Sequence, residues 1–306
     1  MEHFVPQDFG TVKKVKRVTE NAVKVFLWTS AVMITGAVAI LLLFLLKKGA
    51  PGLSLKLVFG DADPLRALFL QERVFNGIFP AIVGTFLVVF LSVTWTIPLG
   101  VLTGIYMAEY GNTHLKKILD FSFDLLASVP SIVIGLFGLT LSIFLHRNFS
   151  QRLYPCLLIS SFSLAILILP YIVRTTQLSI EEVSVSTKLA GLSLGASKIQ
   201  NLLYVIMPAS VKGMLSGVVL ATGRAAEDTA VIMLTGVVAT AGIPNSLLSK
   251  FEALPFYIYY ISSQYSDQAE LVSGFAAAII LLTVCGTLFS FAHVLKNVLV
   301  GKDNGF

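Results

Sequence analysis

Charge is what this chain has least of. Charged residues make up 13% of its 306 positions and hydrophobic ones 56%, a balance that excludes an ordinary soluble domain and fits a multispanning membrane protein. Cysteine is nearly absent. Cys156 and Cys285 stand alone, without the spacing of a metal site or a disulfide framework, and both fall in apolar stretches where packing is their expected role. His3, His114, His146 and His293 are scattered, with no pair at metal-ligand spacing, so no metal centre is expected. There is no G-x-x-x-x-G-K-[ST] loop: Gly191, Gly195 and Lys198 are wrongly spaced to cradle a phosphate, which excludes ATP binding by this chain. A G-x-S-x-G elbow is also missing. The chain therefore reads as no enzyme, with no catalytic residues and no cofactor. Its net charge of +5 is not interleaved with aromatics, so it reads as topology and contact with anionic lipid headgroups, not as a nucleic-acid surface.

What is present is long apolar runs. At about 20 apolar residues per crossing, six helices are expected over residues 24–46, 78–106, 121–145, 155–174, 214–240 and 271–295. The fold class is all-α, a polytopic membrane protein. The first run is too long for a signal-peptide core and lacks a small-residue cleavage site, so it should remain as an anchor. Pro98 and Pro130, each followed closely by glycine, predict kinked or broken helices in the second and third runs. Gly100/Gly104 and Gly213/Gly217 have the small-xxx-small spacing that lets helices approach closely, with ordinary packing their expected role.

Lys13, Lys14, Lys16, Arg17 and Lys24 cluster beside the first run and favour a cytoplasmic amino terminus; an even number of crossings then puts both termini inside. Lys47 and Lys48 fall on the other side, so the bias is modest.

Arg224, Glu227 and Asp228 interrupt the apolar stretch 214–239. A charged side chain at bilayer depth costs at least about 2.5–3.5 kcal/mol, so three together mean mutual pairing or a polar pathway. Spacings of three and four place both carboxylates on the arginine's face of a helix. One reading is a neutralised salt bridge that only locks helices together.

Residues 175–212 form the longest connection, on the cytoplasmic side. Val185, Leu189, Leu192, Ala196, Ile199, Leu203 and Ile206 recur at intervals of four and three, an apolar helical stripe. Gly191 and Gly195 interrupt it, so two short helices joined at Gly195 and one long helix both fit. The ridge would dock a partner or pack on the chain's own helix ends.

The run Leu189-Ala190-Gly191 through Gly195-Ala196, followed by Val205-Ile-Met-Pro208, resembles the EAA loop of ABC-type importer permeases. Further matches are Ile97-Pro-Leu-Gly-Val101 with Tyr106-Met-Ala-Glu-Tyr110, Val129-Pro-Ser-Ile with Gly135-Leu-Phe-Gly138, Ile168-Leu-Pro with Arg174-Thr-Thr, and Gly223-Arg-Ala-Ala-Glu-Asp-Thr-Ala230. Together these look like a phosphate-importer permease, and Ala253-Leu-Pro with Ile258-Tyr-Tyr260 resembles its PstA-type subunit more than the PstC-type sister. The similarity covers about residues 75–295 and rests on the order of several motifs.

The resemblance implies the ABC type I importer permease fold in a prokaryotic cytoplasmic (inner) membrane. It implies a cytoplasmic segment at 1–23, a first helix and external loop at 24–74, a permease core at 75–295 and a cytoplasmic tail at 296–306. Its implied partners are a PstC-type sister permease, PstB-type cytoplasmic ATPases, a PstS-type extracytoplasmic phosphate-binding protein and membrane lipid. Arg224, Glu227, Asp228 and Thr229 would line the substrate pathway, with Arg224 paired to Asp228 at rest. Leu189, Ala190, Gly191, Gly195, Ala196 and Pro208 would form the ATPase-coupling loop. Three positions in two motifs depart from the pattern. Leu189 replaces the EAA acid, and Glu227 and Asp228 replace the glycine and glutamate of G-R-A-x-G-E-T-A. Alternatives are an ABC permease for another oxyanion, a secondary transporter that uses the Arg/Glu/Asp cluster as a relay, and an accessory subunit that senses phosphate.

Overall fold

The computed structural model describes residues 9–69, 74, 76–150 and 153–301. Among them the fold is helical; a single bridge, Val237 to Phe251, is the sole pairing of extended chain. The helices are α1 (Phe9–Gly49), α2 (Leu55–Phe59), α3 (Pro64–Leu68), α4 (Phe79–Ile105), α5 (Thr113–Ser128), α6 (Ser131–Asn148) and α7 (Leu157–Glu181). They continue as α8 (Val185–Ser193), α9 (Lys198–Asn201), α10 (Met207–Glu227), α11 (Ala230–Thr235), α12 (Leu254–Gln264) and α13 (Gln268–Gly301). Among the described residues six segments are long and apolar enough to cross a membrane: Thr19–Gly52, Phe79–Tyr110, Ser131–Asn148, Leu157–Glu181, Lys198–Glu227 and Gln268–Val294.

Two of the expected crossings are cut differently. The third, read as 121–145, is broken where Val129 and Pro130 are both extended, ψ 127° and 137°, which separates α5 from α6. Proline disfavours the helical region for the residue before it, so Val129 ends α5. The fifth, read as 214–240, stops at Glu227, because Asp228 turns extended and α11 starts afresh. Pro98, by contrast, is accommodated inside a continuous α4.

The centre of the bundle is α7, held between α4 and α10. A methyl group added to Gly100 would lie 2.7 Å from Ile172 Cγ2, and one on Gly104 2.6 Å from Thr176 Cβ. On the other flank a methyl on Gly213 would lie 2.1 Å from Ser179 Oγ, and one on Gly217 1.8 Å from Thr175 Oγ1. Both glycine pairs therefore serve packing. In lipid the tails are as apolar as leucine, so close approach and dispersion, not exclusion of water, hold such helices together. Val88, Leu164, Ile168, Ile172, Ala225 and Ile232 fill the space between them. Ser92, Thr96 and Ser163 sit inside this core because each hydroxyl donates to the carbonyl four residues back, at 2.6, 2.7 and 2.8 Å, so none of these three is bare. Cys156 is fully buried and Cys285 partly so, both as free thiols.

Segment 175–212 splits. Helix α7 continues to Glu181, Lys198–Glu227 forms one crossing, and α8 lies between. Of the two forms the stripe allowed, the structure takes two helices joined at Gly195, whose φ of +87° is left-handed and suits glycine. Ser197 opens α9 with a capping box to Gln200. Next comes a π turn, Leu202–Ile206, immediately before Pro208. Proline has no N–H to return to the carbonyl four residues back, and a widened turn accommodates that gap.

Candidate functional site

The pairing of Gly213 with Ser179 and of Gly217 with Thr175 makes α7 and α10 antiparallel. Arg224 lies two turns past Gly217, about 10 Å along the axis, which brings it level with about Ile168, midway along α7. The charged cluster thus sits at mid-depth of the bundle.

Arg224 Nη1 donates to Glu227 Oε1 at 3.0 Å, and Nη2 stands 3.7 Å from Asp228 Oδ2. Both carboxylates share the arginine as the spacing predicts, but Glu227 holds the shorter contact. Asp228 is engaged elsewhere: its Oδ1 accepts the Val231 N–H at 2.8 Å and so starts α11. Its side chain is 3% exposed, against 31% for Arg224 and 65% for Glu227. The rigid acid is buried at the helix break, and the other projects freely. Thr229 follows the break half-buried, and its side chain caps nothing. Gly223 makes room for α13, since a methyl there would lie 2.2 Å from Phe289 Cζ. Helix α6 packs along α11, with Gly135 against Ala230 and Val231.

The connection read as a coupling loop exposes most of its apolar ridge. Val185 is 71%, Leu189 53%, Ile199 64% and Leu203 52% exposed, as is Leu194 beside the stripe at 90%, whereas Ile206 turns inward onto Ile180 and Leu202. Ala190 and Gly195 lie on the outside and Ala196 is half-buried, while Pro208 sits in the first turn of α10. Gly191 is buried, because the Asn201 side chain lies over it: Nδ2 donates to the Lys188 carbonyl at 2.9 Å, and Oδ1 occupies the place of a Cβ. That bond pins α8 to α9. Lys188 Nζ also meets Glu109 Oε1 at 2.6 Å, joining α8 to the π turn Tyr106–Tyr110 beyond α4.

Three ionic features escaped sequence reasoning. Arg174 of α7 forks onto α5, where it binds the Asp120 carboxylate and carbonyl and, at 2.7 Å, Asp124 Oδ1. Lys116 reaches Glu181 at 2.7 Å. The spacing of four between Asp120 and Asp124 signals one acidic helix face, although nothing in the sequence assigns it to Arg174. Finally, Glu252 is buried in the connection between α11 and α12, with Oε1 accepting the Ala241 and Gly242 N–H groups at 2.9 and 2.7 Å. Burial pushes its carboxyl above the ordinary glutamate range, and those two N–H groups partly offset it.

A bundle with a central glycine-flanked helix, a broken third crossing and a short helix pair between its fourth and fifth crossings defines a polytopic permease. Residues 100–296 match the family described as binding-protein-dependent transport system inner membrane component. The phosphate transport system permease protein PstA of Haemophilus influenzae is 33% identical over 257 residues, covering 82% of this chain and 84% of that protein. That of Yersinia pestis is 30% identical, covering 83% and 81%. Among solved structures, a bacterial alginate ABC transporter in complex with alginate pentasaccharide-bound periplasmic protein matches with a TM-score of 0.65 at 16% identity, over 94% of this chain and 97% of that one. It shares the fold. The chain belongs to the binding-protein-dependent inner-membrane transport components, on their PstA-type branch.

Proposed function

We propose that this chain is a permease subunit of an ATP-driven importer for inorganic phosphate, forming the translocation pathway with a sister permease. The observation that carries the reading is Arg224: a guanidinium at mid-depth, partly open, on the PstA-type scaffold. A phosphate leaving water needs cationic or N–H partners, and a planar fork suits its oxygens. Glu227, Asp228 and Thr229 complete the pathway wall. A PstS-type binding protein delivers the anion from outside. A pair of PstB-type ATPases works from the cytoplasm, one seated on the ridge of α8 and α9. The sister is PstC-type.

In this reading both termini are cytoplasmic, the membrane is the inner one, residues 75–295 are the transport core, and 1–23 and 296–306 flank it. Leu189 leaves the docking loop without the customary acid, so the exposed apolar side chains Val185, Leu189, Leu194 and Ile199 carry the contact. Lys188 and Asn201 support it from beneath, at the distances given above.

The test is uptake of labelled phosphate by cells lacking this chain, complemented with wild type, Arg224→Lys or Arg224→Ala at matched expression, with ATP depletion in parallel. Wild type should restore ATP-dependent uptake, and both variants should lose most of it. Wild-type uptake in the alanine variant would make the arginine structural only, and uptake driven solely by an ion gradient would favour a secondary transporter.

A further inference from the structure

We infer that Glu227 is a specificity-determining residue: its carboxylate admits oxyanions that carry a proton on one oxygen and turns away those that carry none. The inference rests on the reading of Arg224 as an anion contact.

Arg224, Glu227 and Asp228 together carry a formal charge of one negative, which by itself repels any anion. Asp228 is committed, with one oxygen on the Val231 N–H and 3% of its side chain exposed. Glu227 is free to engage a ligand. Only its Oε1 is bound, to Arg224 at 3.0 Å; no described residue bonds its second oxygen, and 65% of the side chain is open. A carboxylate turned to lipid at this depth would be costly, so its open side faces the pathway or a partner. An anion reaching for Arg224 therefore comes up beside Glu227.

Chemistry then divides the candidates. At neutral pH phosphate and arsenate keep at least one proton on an oxygen, whereas sulfate keeps none. A protonated oxyanion donates its O–H to the Glu227 carboxylate and presents its remaining oxygens to the guanidinium, so the acid that should repel it becomes a hydrogen-bond acceptor. Sulfate brings lone pairs against a carboxylate, and nothing offsets the repulsion. A site that demands a donor rejects the analogue lacking it far more strongly than a pocket that differs only in size. Glycine stands at this position in the family pattern, so the acceptor is a feature of this chain.

The experiment uses the purified importer, this chain with its sister and ATPases but without the binding protein, which would otherwise filter the anions. Thermal unfolding is followed while phosphate, arsenate or sulfate is titrated against chloride at constant ionic strength. Wild type should respond to phosphate and arsenate at concentrations at least about tenfold below those needed for sulfate, the size expected of one charge-assisted hydrogen bond. Glu227→Gln, whose amide can donate, should bring the sulfate response close to that of phosphate. Glu227→Gly should do the same without the added donor. Arg224→Ala should respond to none of the three. An unchanged phosphate-to-sulfate ratio in both Glu227 variants overturns the inference while leaving the arginine reading standing. A response that is absent from wild type, or that survives in Arg224→Ala, overturns both.

Discussion

Gly217→Ala is the sharpest test of the packing. The new methyl would lie 1.8 Å from Thr175 Oγ1, 2.6 Å from its Cβ and 3.1 Å from its Cγ2. Thr175 has nowhere to go: it is β-branched, and its hydroxyl already donates to the Tyr171 carbonyl at 2.8 Å. Restoring ordinary contact requires α7 and α10 to separate by more than an ångström. Overpacking of this kind costs about 1–3 kcal/mol, set against about 0.8–1 kcal/mol gained when alanine replaces a helical glycine. With the clash this deep the upper part of that range applies, and a net loss of up to about 2 kcal/mol is expected. Thr175→Ala in the same chain removes the hydroxyl and Cγ2 but leaves Cβ, so rescue should be partial. Thr175→Gly removes all three atoms and should restore the contact, at its own helix cost of about 1 kcal/mol. Gly36→Ala is the control, with nothing within 4 Å of its added methyl. The assay is thermal unfolding of the purified complex as a double-mutant cycle, with phosphate uptake alongside. If Gly217→Ala unfolds like Gly36→Ala and the cycle shows no coupling, α7 and α10 do not meet at this point and the depth assigned to Arg224 falls with it.

The buried acid gives a pH prediction. Because Glu252 holds its proton more tightly when folded than unfolded, its contribution to stability is fully present below the ordinary glutamate value of about 4.3 and is lost as pH rises through the raised folded value. Unfolding midpoints measured across that window should fall less steeply in Glu252→Gln than in wild type; equal slopes would refute the assignment. Arg174→Lys keeps the charge but loses the fork, so it can serve only one of Asp120 and Asp124 at a time. It should loosen α5 by about 1–2 kcal/mol, read as faster amide exchange in 113–128 than in α7. Uniform exchange would refute that role.

The long apolar runs, the two glycine pairs and the charge triplet were all legible in the sequence, because each depends on composition or on spacing along one helix. Of the two breaks, Pro130 signalled the one in the third run as a kink or a break, and nothing signalled the one at Asp228. A window of apolar residues still counts Leu126, Val129 and Ile132 into one crossing, whereas the backbone leaves the helical region at Val129 on account of Pro130 and makes two helices of it. Val231 to Val238 extends an apolar stretch past Asp228, and only the carboxylate's preference for the Val231 N–H ends the helix there. Arg174 with its two aspartates, and Glu252 with its two backbone amides, depend on contacts between segments far apart in the chain, which periodicity does not reach. The loop was legible as far as its alternatives, and the left-handed Gly195 decided between them.

The π turn at Leu202–Ile206 has a mechanical consequence. Lys198–Glu227 is one helical segment that begins at α9 and ends at the charge cluster. Between the turn and Arg224 lie about 27 Å of regular helix. A π turn interrupts the regular α-helical ladder of this element, so any tilt taken up there would move the far end of the segment as a lever moves about its fulcrum. A tilt of roughly 10° at that joint sweeps Arg224 sideways by about 5 Å, more than the length of an ion pair. A small motion at the α9 end is then large enough at the other to part the arginine from one neighbour and present it to another.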